Sequence, residues 1–530
     1  SEHPYLIERI PQEALSEKSA ESWLQQVAIN LPGVLKDQYE EIRDELLHLE
    51  SLEDDQQIGF EGNRYLLNFL FNHNLLPTYA FPRDVTSLYI QERYGLRSGQ
   101  IKQQPQLELN RALSEYAPGR QIVIDKETYK IGGIYNPYPG EGNADQPLVS
   151  LGVGEQEVAY CVSCHYVSTE SMIEAGDPCP VCERPLRKKV HVRPTGFSPE
   201  NAKPLPKKYE AQEYSYAGRP QLPVSVNAQH TFKTFEDNSA IGYSYQTDEE
   251  LIVMNRGIDG ESGFHLCEDC GFITSNYEGF DYKKLENHTK PYVYKGMKDT
   301  RCNGRTHEVF LSNQFKTDLL LIRLELGDTV DYGPTKRWLH MALDTLGESL
   351  IIAASRVLEI DLQELEVGYR LVRTNELKNS VELFLFDRLS GGAGYAYEAG
   401  QRIEEIFEKA GKILSSCEDD CTSSCYKCLR HYGNQLKHSN LNRKVAYELY
   451  EYLFKGRMRT YGDEEQEMYL LGLKSVLDVR GIAYREERLG GSYQLHLQNG
   501  KRIFVKNNIE RKKNEAQALY FKPLELENEL

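Results

Sequence analysis

Apolar positions recur three or four residues apart at Leu35, Tyr39, Ile42, Leu46 and Leu49, which marks one face of a helix over 35–52. The denser apolar run 63–76 reads as a buried helix, so residues 1–75 are predicted to be helical. The pattern then shifts toward period two. SLYIQER (87–93) and RQIVIDKETYKIGGIY (120–135) alternate as half-buried strands do, and HTFKTFED, AIGYSYQ and ELIVMNRG read as three strands within 226–265. TDLLLIRLEL (317–326) and ELFLFDRL (382–389) are unbroken apolar runs, the mark of strands covered on both faces. TKRWLHMALDTLGESLIIAASRVLEI (335–360) is a long amphipathic helix, and QRIEEIFEKAGKIL (401–414) and LNRKVAYELYEYLF (441–454) are shorter ones, the last with Ser439 or Asn440 as its expected cap. Asn499-Gly500 between two alternating runs predicts a hairpin. YPGEGNADQP (138–147) is a turn-rich boundary.

These elements give a mixed α/β, multi-domain fold, with a helical N-terminal part, a β-rich middle and an α/β C-terminal part. At roughly 150 residues per domain, 530 residues suggest several units. The expected divisions are a mainly helical segment (1–95), a β-rich connector (96–155), a first cysteine ribbon (156–190), a β-rich domain with a basic stretch (191–264), a second cysteine module (265–310), an α/β domain around a third cysteine set (311–455) and a small α/β appendage (456–530).

The cysteines change the picture most. All 11 fall into three sets, and their two- and three-residue spacings in a chain without a secretory signature favour metal over disulfides. The expectation is a reducing, cytoplasmic setting. The first set, Cys161, Cys164, Cys179 and Cys182, is C-x2-C-x14-C-x2-C, the pattern of a four-thiolate zinc ribbon. The second, Cys267, Cys270 and Cys302, lacks a fourth ligand. His288 lies between its halves and is preferred, with His265 and His307 as competitors. The third, Cys417, Cys421, Cys425 and Cys428, packs four thiols into twelve residues, which suits zinc and leaves an iron–sulfur cluster as the alternative. Its CEDDC acids call for nearby cations, for which Lys427, Arg430, His431 and His438 are candidates. About three structural zinc ions are expected in all.

Charge narrows the partners. The net charge of −18 makes the whole chain a poor polyanion binder, so any nucleic acid must be met by local patches. Two stretches qualify, each readable as a solvated face or as a patch that tracks a nucleic-acid backbone. One holds Arg184, Arg187, Lys188, Lys189, Arg193, Lys203, Lys207 and Lys208, with His191, Phe197 and Tyr209 near enough for stacking. The other, 501–513, holds Lys501, Arg502, Lys512 and Lys513. The glycine loop SGGAGY (390–395) reads as a tight strand–helix turn, with a phosphate contact or a nucleotide site as alternatives. Asp387 and Arg388 before it are expected to orient rather than react. No Walker A sequence, D-E-x-[DH] box, serine elbow or H-E-x-x-H pattern is present, so the chain carries no recognisable catalytic motor of its own. No apolar run reaches the roughly 18–20 residues of a membrane span, and no membrane partner is expected.

The run FLFDRLSGGAGYAYEA…CEDDCTSSCYKCLRHYGNQLKHSNLNRKVAYELYEYL resembles the zinc-binding C-terminal domain of MrfA-type superfamily-two helicases. LLPTYAFPRDV (75–85), LSEYAPGRQIVIDKETYKIGGI (113–134) and the CEDCG module before TDLLLIRLE extend the resemblance over roughly 60–455, to the region after the motor in antiphage defence helicases of the Druantia and DISARM kind. The resemblance implies that Cys417, Cys421, Cys425 and Cys428 bind metal. It implies as partners DNA, single-stranded or forked, helicase motor domains in cis or as a separate chain, and other subunits of the defence system. ATP and magnesium would act only through that motor. The missing motor suggests a piece of a longer helicase whose motor precedes Ser1, or else a separate motorless subunit like DrmB. A DNA-repair helicase segment and a protein-interaction scaffold that never touches DNA are the other readings.

Overall fold

The computed structural model describes residues 85–92, 100–135, 157–201, 204–205, 212–224, 230–235, 238–292, 300–373, 379–388, 392–489, 492–512 and 518–524. All belong to one compact unit, 81–530. The helices predicted over 1–75, the turn-rich stretch 138–147, and Lys203, Lys207, Lys208, Tyr209 and Lys513 lie outside the described residues.

The fold is mixed α/β, as the periodicities predict, and is organised around one ten-stranded sheet. Its named strands are β1 (Glu157–Tyr160), β2 (Arg187–Val192), β3 (Asn238–Asn255), β4 (Phe264–Cys267), β5 (Thr306–Glu325), β6 (Leu365–Arg373) and β7 (Asn379–Asp387). The 20-residue β5 is the spine. It pairs antiparallel with β3 along most of its length. Its first half also meets β4 antiparallel, with Thr306 opposite Cys267, and β2 parallel, with Val309 opposite Val190. Its second half pairs with β7, which pairs with β6. One continuous strand therefore runs across residue 310 and touches elements from all three cysteine regions.

The apolar residues of the LLLIRL run are all buried because its alternate side chains enter two cores. Leu320, Ile322 and Leu324 pack with the helices, while Leu319 and Leu321 pack on the opposite side with Tyr129, Phe197 and Phe264. AIGYSYQ and ELIVMN, read from sequence as separate strands, are one strand, β3. The register slips between Gln246 and Glu249, where Asp248 adopts φ 57°, a bulge that lets the ladder continue past the polar QTDEE stretch.

Besides a short helix at Leu109–Glu115, the α-helices among the described residues are α1 (Arg337–Leu358), α2 (Tyr395–Gln401), α3 (Ile403–Ser415), α4 (Arg443–Lys455) and α5 (Asp463–Val479). α1 packs against α3, α4 and β6, so 17 of its residues are buried, including the polar Asp344, Thr345, Glu348 and Ser349. Those groups are all hydrogen-bonded, as burial demands. The cap of α4 is Asn442, whose side chain accepts from the amides of Lys444 and Val445, not the predicted Ser439 or Asn440. Asn440 instead donates to Asp344 of α1, which takes it out of capping range.

The appendage is α5 with four strands, β8 (Tyr484–Leu489), β9 (Ser492–Leu497), β10 (Arg502–Val505) and β11 (Ala518–Phe521), in the order listed. β9 and β10 form the predicted hairpin, with Gly500 at φ 80°. The appendage is docked by buried polar contacts. Glu448 of α4 accepts from the Tyr461 hydroxyl and from the Asn508 amide, and Lys522 pairs with Asp331.

Candidate metal centres

Each of the first two sites is built on knuckles of one design. In a knuckle the first cysteine's N–H donates beyond the loop and its carbonyl accepts from the residue after the second cysteine. The Cys161 amide donates to the Tyr166 carbonyl and the Cys161 carbonyl accepts from the His165 amide (2.9 and 3.2 Å). Cys179 does the same with Arg184 and Glu183 (2.8 and 2.9 Å), and Cys267 with Phe272 and Gly271 (2.8 and 2.9 Å). The residue after the second cysteine then has positive φ: 59° at His165, 63° at Glu183 and 73° at Gly271. At Gly271 a side chain would also collide with the Ile134 carbonyl, 2.2 Å from where a Cβ would stand.

These turns converge the donors. In the first site the Sγ atoms of Cys161 and Cys182, and those of Cys164 and Cys179, are each 3.4 Å apart. In the second, Cys267 and Cys302 are 3.9 Å apart, and Cys270 Sγ is 3.1 Å from His288 Nε2. In the third, Cys417–Cys425 is 3.5 Å and Cys421–Cys428 is 3.7 Å. All four donor atoms of each set lie within 4.8 Å of one another. Four sulfurs at about 2.3 Å from one tetrahedral zinc are about 3.8 Å apart, so every set fits a single zinc ion. A [4Fe–4S] cluster puts each thiolate on a different iron and holds the sulfurs well apart, which the third set does not match. Burial first, and the neighbouring thiols after it, push the thiols of Cys182 and Cys428 up to about 11 and about 12. In the first two sets hydrogen bonds from neighbouring thiols pull Cys179 down to about 5 and Cys267 down to about 4, and a bound cation favours the thiolate at every position.

His288 stands where a fourth ligand is needed. Its Nδ1 donates to the Leu285 carbonyl at 2.9 Å, which fixes the tautomer and turns Nε2 toward the cysteines, and its ring stacks on Phe272 at 4.5 Å. The competitors are elsewhere. His265 packs against Phe280, and His307 faces Glu268 at 3.4 Å.

The third site is the most exposed and is held from behind by a residue the spacing does not reveal. Arg443, at the start of α4, has 6% of its side chain exposed. It donates to the carbonyl of Cys421 at 3.0 and 3.2 Å and to those of Leu414 and Ser415 at 3.4 Å, and it meets Asp420 at 3.4 Å. Among the cations expected to face the CEDDC acids, Lys427 is 3.9 Å from Glu418, whereas His431 turns to Glu348 and His438 to Asn434. Arg430 bonds Ser424. Glu348 of α1 also takes Lys437 at 2.6 Å and Asn434 at 3.1 Å, so the chain leaving the third site is strapped to α1.

The described part of the glycine loop, 392–395, folds onto the Asp387 carboxylate and is not a phosphate cradle. The amides of Ala393, Gly394 and Ala396 donate to the Asp387 carboxylate at 2.6, 2.7 and 2.8 Å. The site a phosphate would need is filled by a side chain from the preceding strand. Burial pushes the Asp387 carboxyl up, and those three amides pull against it.

Among the described residues of the first basic stretch, three cations are paired with acids. Arg187 pairs with Glu261 at 2.6 Å, Lys188 with Glu157 at 2.9 Å and Glu174 at 3.5 Å, and Lys189 with Glu308. Arg184 donates to Ser163 at 2.6 Å and Arg193 to Asn313 at 3.1 Å. His191 and Phe197 are buried core residues rather than stacking platforms, because β2 is an interior strand and Phe197 fills the second core. In the second stretch Lys501 is exposed, while Arg502 and Lys512 lie 5.5 and 5.9 Å from the rings of Phe504 and Phe521.

Residues 346–429 match the family model described as the MrfA Zn-binding domain. The match runs from α1 to just past Cys428 and so contains all four cysteines of the third site. The resemblance read from the GGAGY loop and the cysteine run is to this family. The chain is also 35% identical over 455 residues to the Druantia protein DruE of Escherichia coli (strain UMEA 4076-1), covering 82% of this chain and 24% of that protein. It thus spans about a quarter of that relative's length. Two solved structures of the DUF1998 helicase MrfA are more distant. The one bound to DNA has 10% identity and a TM-score of 0.37 over 71% of this chain and 34% of that chain. The one bound to DNA and AMPPNP has 11% identity and a TM-score of 0.22 over 72% and 40%. Likeness at that level places no residue of one on the other. Among the described residues no helix is long and apolar enough to cross a membrane.

Proposed function

We propose that this chain is the zinc-stapled, motorless region of an ATP-dependent DNA helicase or translocase of Druantia-type antiphage defence, which engages DNA and couples it to the motor. The 35% identity to DruE over most of the chain carries this reading, and the MrfA Zn-binding match supports it. In this reading three four-donor sites each bind a zinc that acts as a rigid staple, since closed sites leave no open position for catalysis. The spine strand β5 links the strands that carry the first two staples by a hydrogen-bonded ladder, and the third staple joins it through helix packing, so force applied at one module reaches the others. ATP and magnesium belong to motor domains attached in cis or carried by a partner chain. The test is fluorescence anisotropy with single-stranded and forked DNA over a salt series, with zinc content and ATP hydrolysis measured on the same sample. The expected result is about three zinc per chain, no ATP hydrolysis by the chain alone, and binding that weakens steeply with salt. No binding at low salt with zinc intact overturns the DNA role.

The second reading is a zinc-stapled scaffold that recruits defence partners. The acid pairing of Arg187, Lys188 and Lys189 together with the net charge of −18 favours it. Capture of motor domains by a chain that ignores DNA would establish it.

A further inference from the structure

An open cleft of about 690 Å³ lies between the first ribbon and the loop that leads into the second zinc module. Its charged lining comes from two sides. Arg187, Lys188 and Lys189 stand on β2, while Asp259, Glu261 and Glu308 stand opposite. The pairing is long-range and specific. Glu261 reaches Arg187 across 74 residues of sequence, and Glu308 reaches Lys189 across 119.

Both acids are held in place. The Asp259 carboxylate accepts from the amides of Glu261 and Ser262 at 2.9 and 2.7 Å, which fixes the loop that carries Glu261. Glu308 sits beside Val309, which is in register with Val190 of β2. The acids are nonetheless near water: the side chains of Glu261 and Glu308 are 40% and 48% exposed. The Arg187–Glu261 pair, exposed on both sides, is weak, and its carboxylate can swing to solvent at little cost; in the other pair Lys189 is 16% exposed and only the Glu308 side faces water. A phosphodiester backbone releases bound counterions when it meets the same cations, a gain that a tethered carboxylate does not have.

We propose that Glu261 and Glu308 are resident phosphate mimics, which close the basic strand to stray polyanions and give way when a single-stranded nucleic acid backbone enters this cleft. The proposal rests on the DNA-engaging reading and specifies where and how that contact is gated. It also accounts for a locally basic strand in an acidic chain: the acids hold down non-specific binding without removing the cations.

The test compares the full chain with its Glu261→Gln/Glu308→Gln variant in binding to a single-stranded oligonucleotide by anisotropy. Zinc content confirms that both are folded. Removing the two competing carboxylates is expected to tighten binding by roughly tenfold, with the slope of log K against log salt unchanged, because parent and variant make the same phosphate contacts once the acids give way. The gain should vanish when Arg187→Ala and Lys189→Ala are added. If the parent binds and the variant binds no more tightly, the gate is overturned while the DNA-engaging reading stands. If neither binds even at low salt, both fall together.

Discussion

At the residue scale, single buried charges decide how the strands and loops are held. Glu382 of β7 is 1% exposed and lies directly opposite Arg323 of β5 and Arg370 of β6. Burial pushes its carboxyl up, but Arg370 and Arg323 outweigh that and hold it below the usual carboxylate range. An acid with a depressed folded-state pKa contributes stability that is present above its unfolded value, about 4.3, and lost as pH falls through the folded value. Glu382→Ala leaves two arginines without their shared anion and should cost about 3–5 kcal/mol at pH 7. That difference should shrink as pH drops below about 4.3, where the parent's own carboxylate is lost. Paired urea titrations at successive pH values read it directly, and a cost that stays constant into acid would show that the ionised form is not what matters. Arg443 makes the same argument for the third metal site. Arg443→Lys keeps the charge but not the fan of contacts to three carbonyls, and should lose about 2 kcal/mol. It should also release zinc to a chromogenic chelator faster than the parent. Unchanged release kinetics would mean that the loop needs no support from behind.

At the element scale, the docking of the appendage turns on α4. Glu448 is 1% exposed and is the shared acceptor for Tyr461, before α5, and for Asn508, after β10. Removing it strands a buried hydroxyl and a buried amide, each worth about 1–3 kcal/mol when left unsatisfied. Glu448→Ala is therefore expected to speed hydrogen exchange around 461–470 and 505–510 while leaving metal content unchanged. Slow exchange there would show that other contacts hold the appendage. What sequence reveals divides by range. Local order was legible: the period of α1, the Asn499-Gly500 hairpin, and the cysteine spacings whose knuckles need only neighbouring residues. His288 was singled out because a missing fourth donor is a local deficit. Contacts made across the fold were not legible. The partners of Arg187 and Lys189 are 74 and 119 residues away, so the stretch read as a bare basic patch. Arg443 gave no signal of its own because its targets are carbonyls, which every residue has. Asp387 filling the glycine loop could be suspected only from its place at the end of a strand.

At the scale of the whole molecule, the question is whether three staples on one sheet fail together or separately. The first and second sites sit at the ends of β1 and β4, which join the spine directly or through β2. The third hangs from α3 and α4 and reaches the spine only by packing. Cys425→Ser removes one thiolate from that third site, and zinc binding there is coupled to folding of its loop. The expected outcome is a fall from about three to about two zinc per chain, because the other donor sets share no residue with it. Hydrogen exchange should rise through 395–455, most at 415–442, where Arg443 and Glu348 lose the loop they hold. β5 should stay protected, since its ladders to β3 and β7 do not pass through the cysteines. Stripping all metal with excess chelator should instead expose the spine itself, because two of the staples close loops at its own partners. A variant that loses all three ions at once would show the sites to be one cooperative unit, and the ladder would then be the means of coupling rather than a bystander.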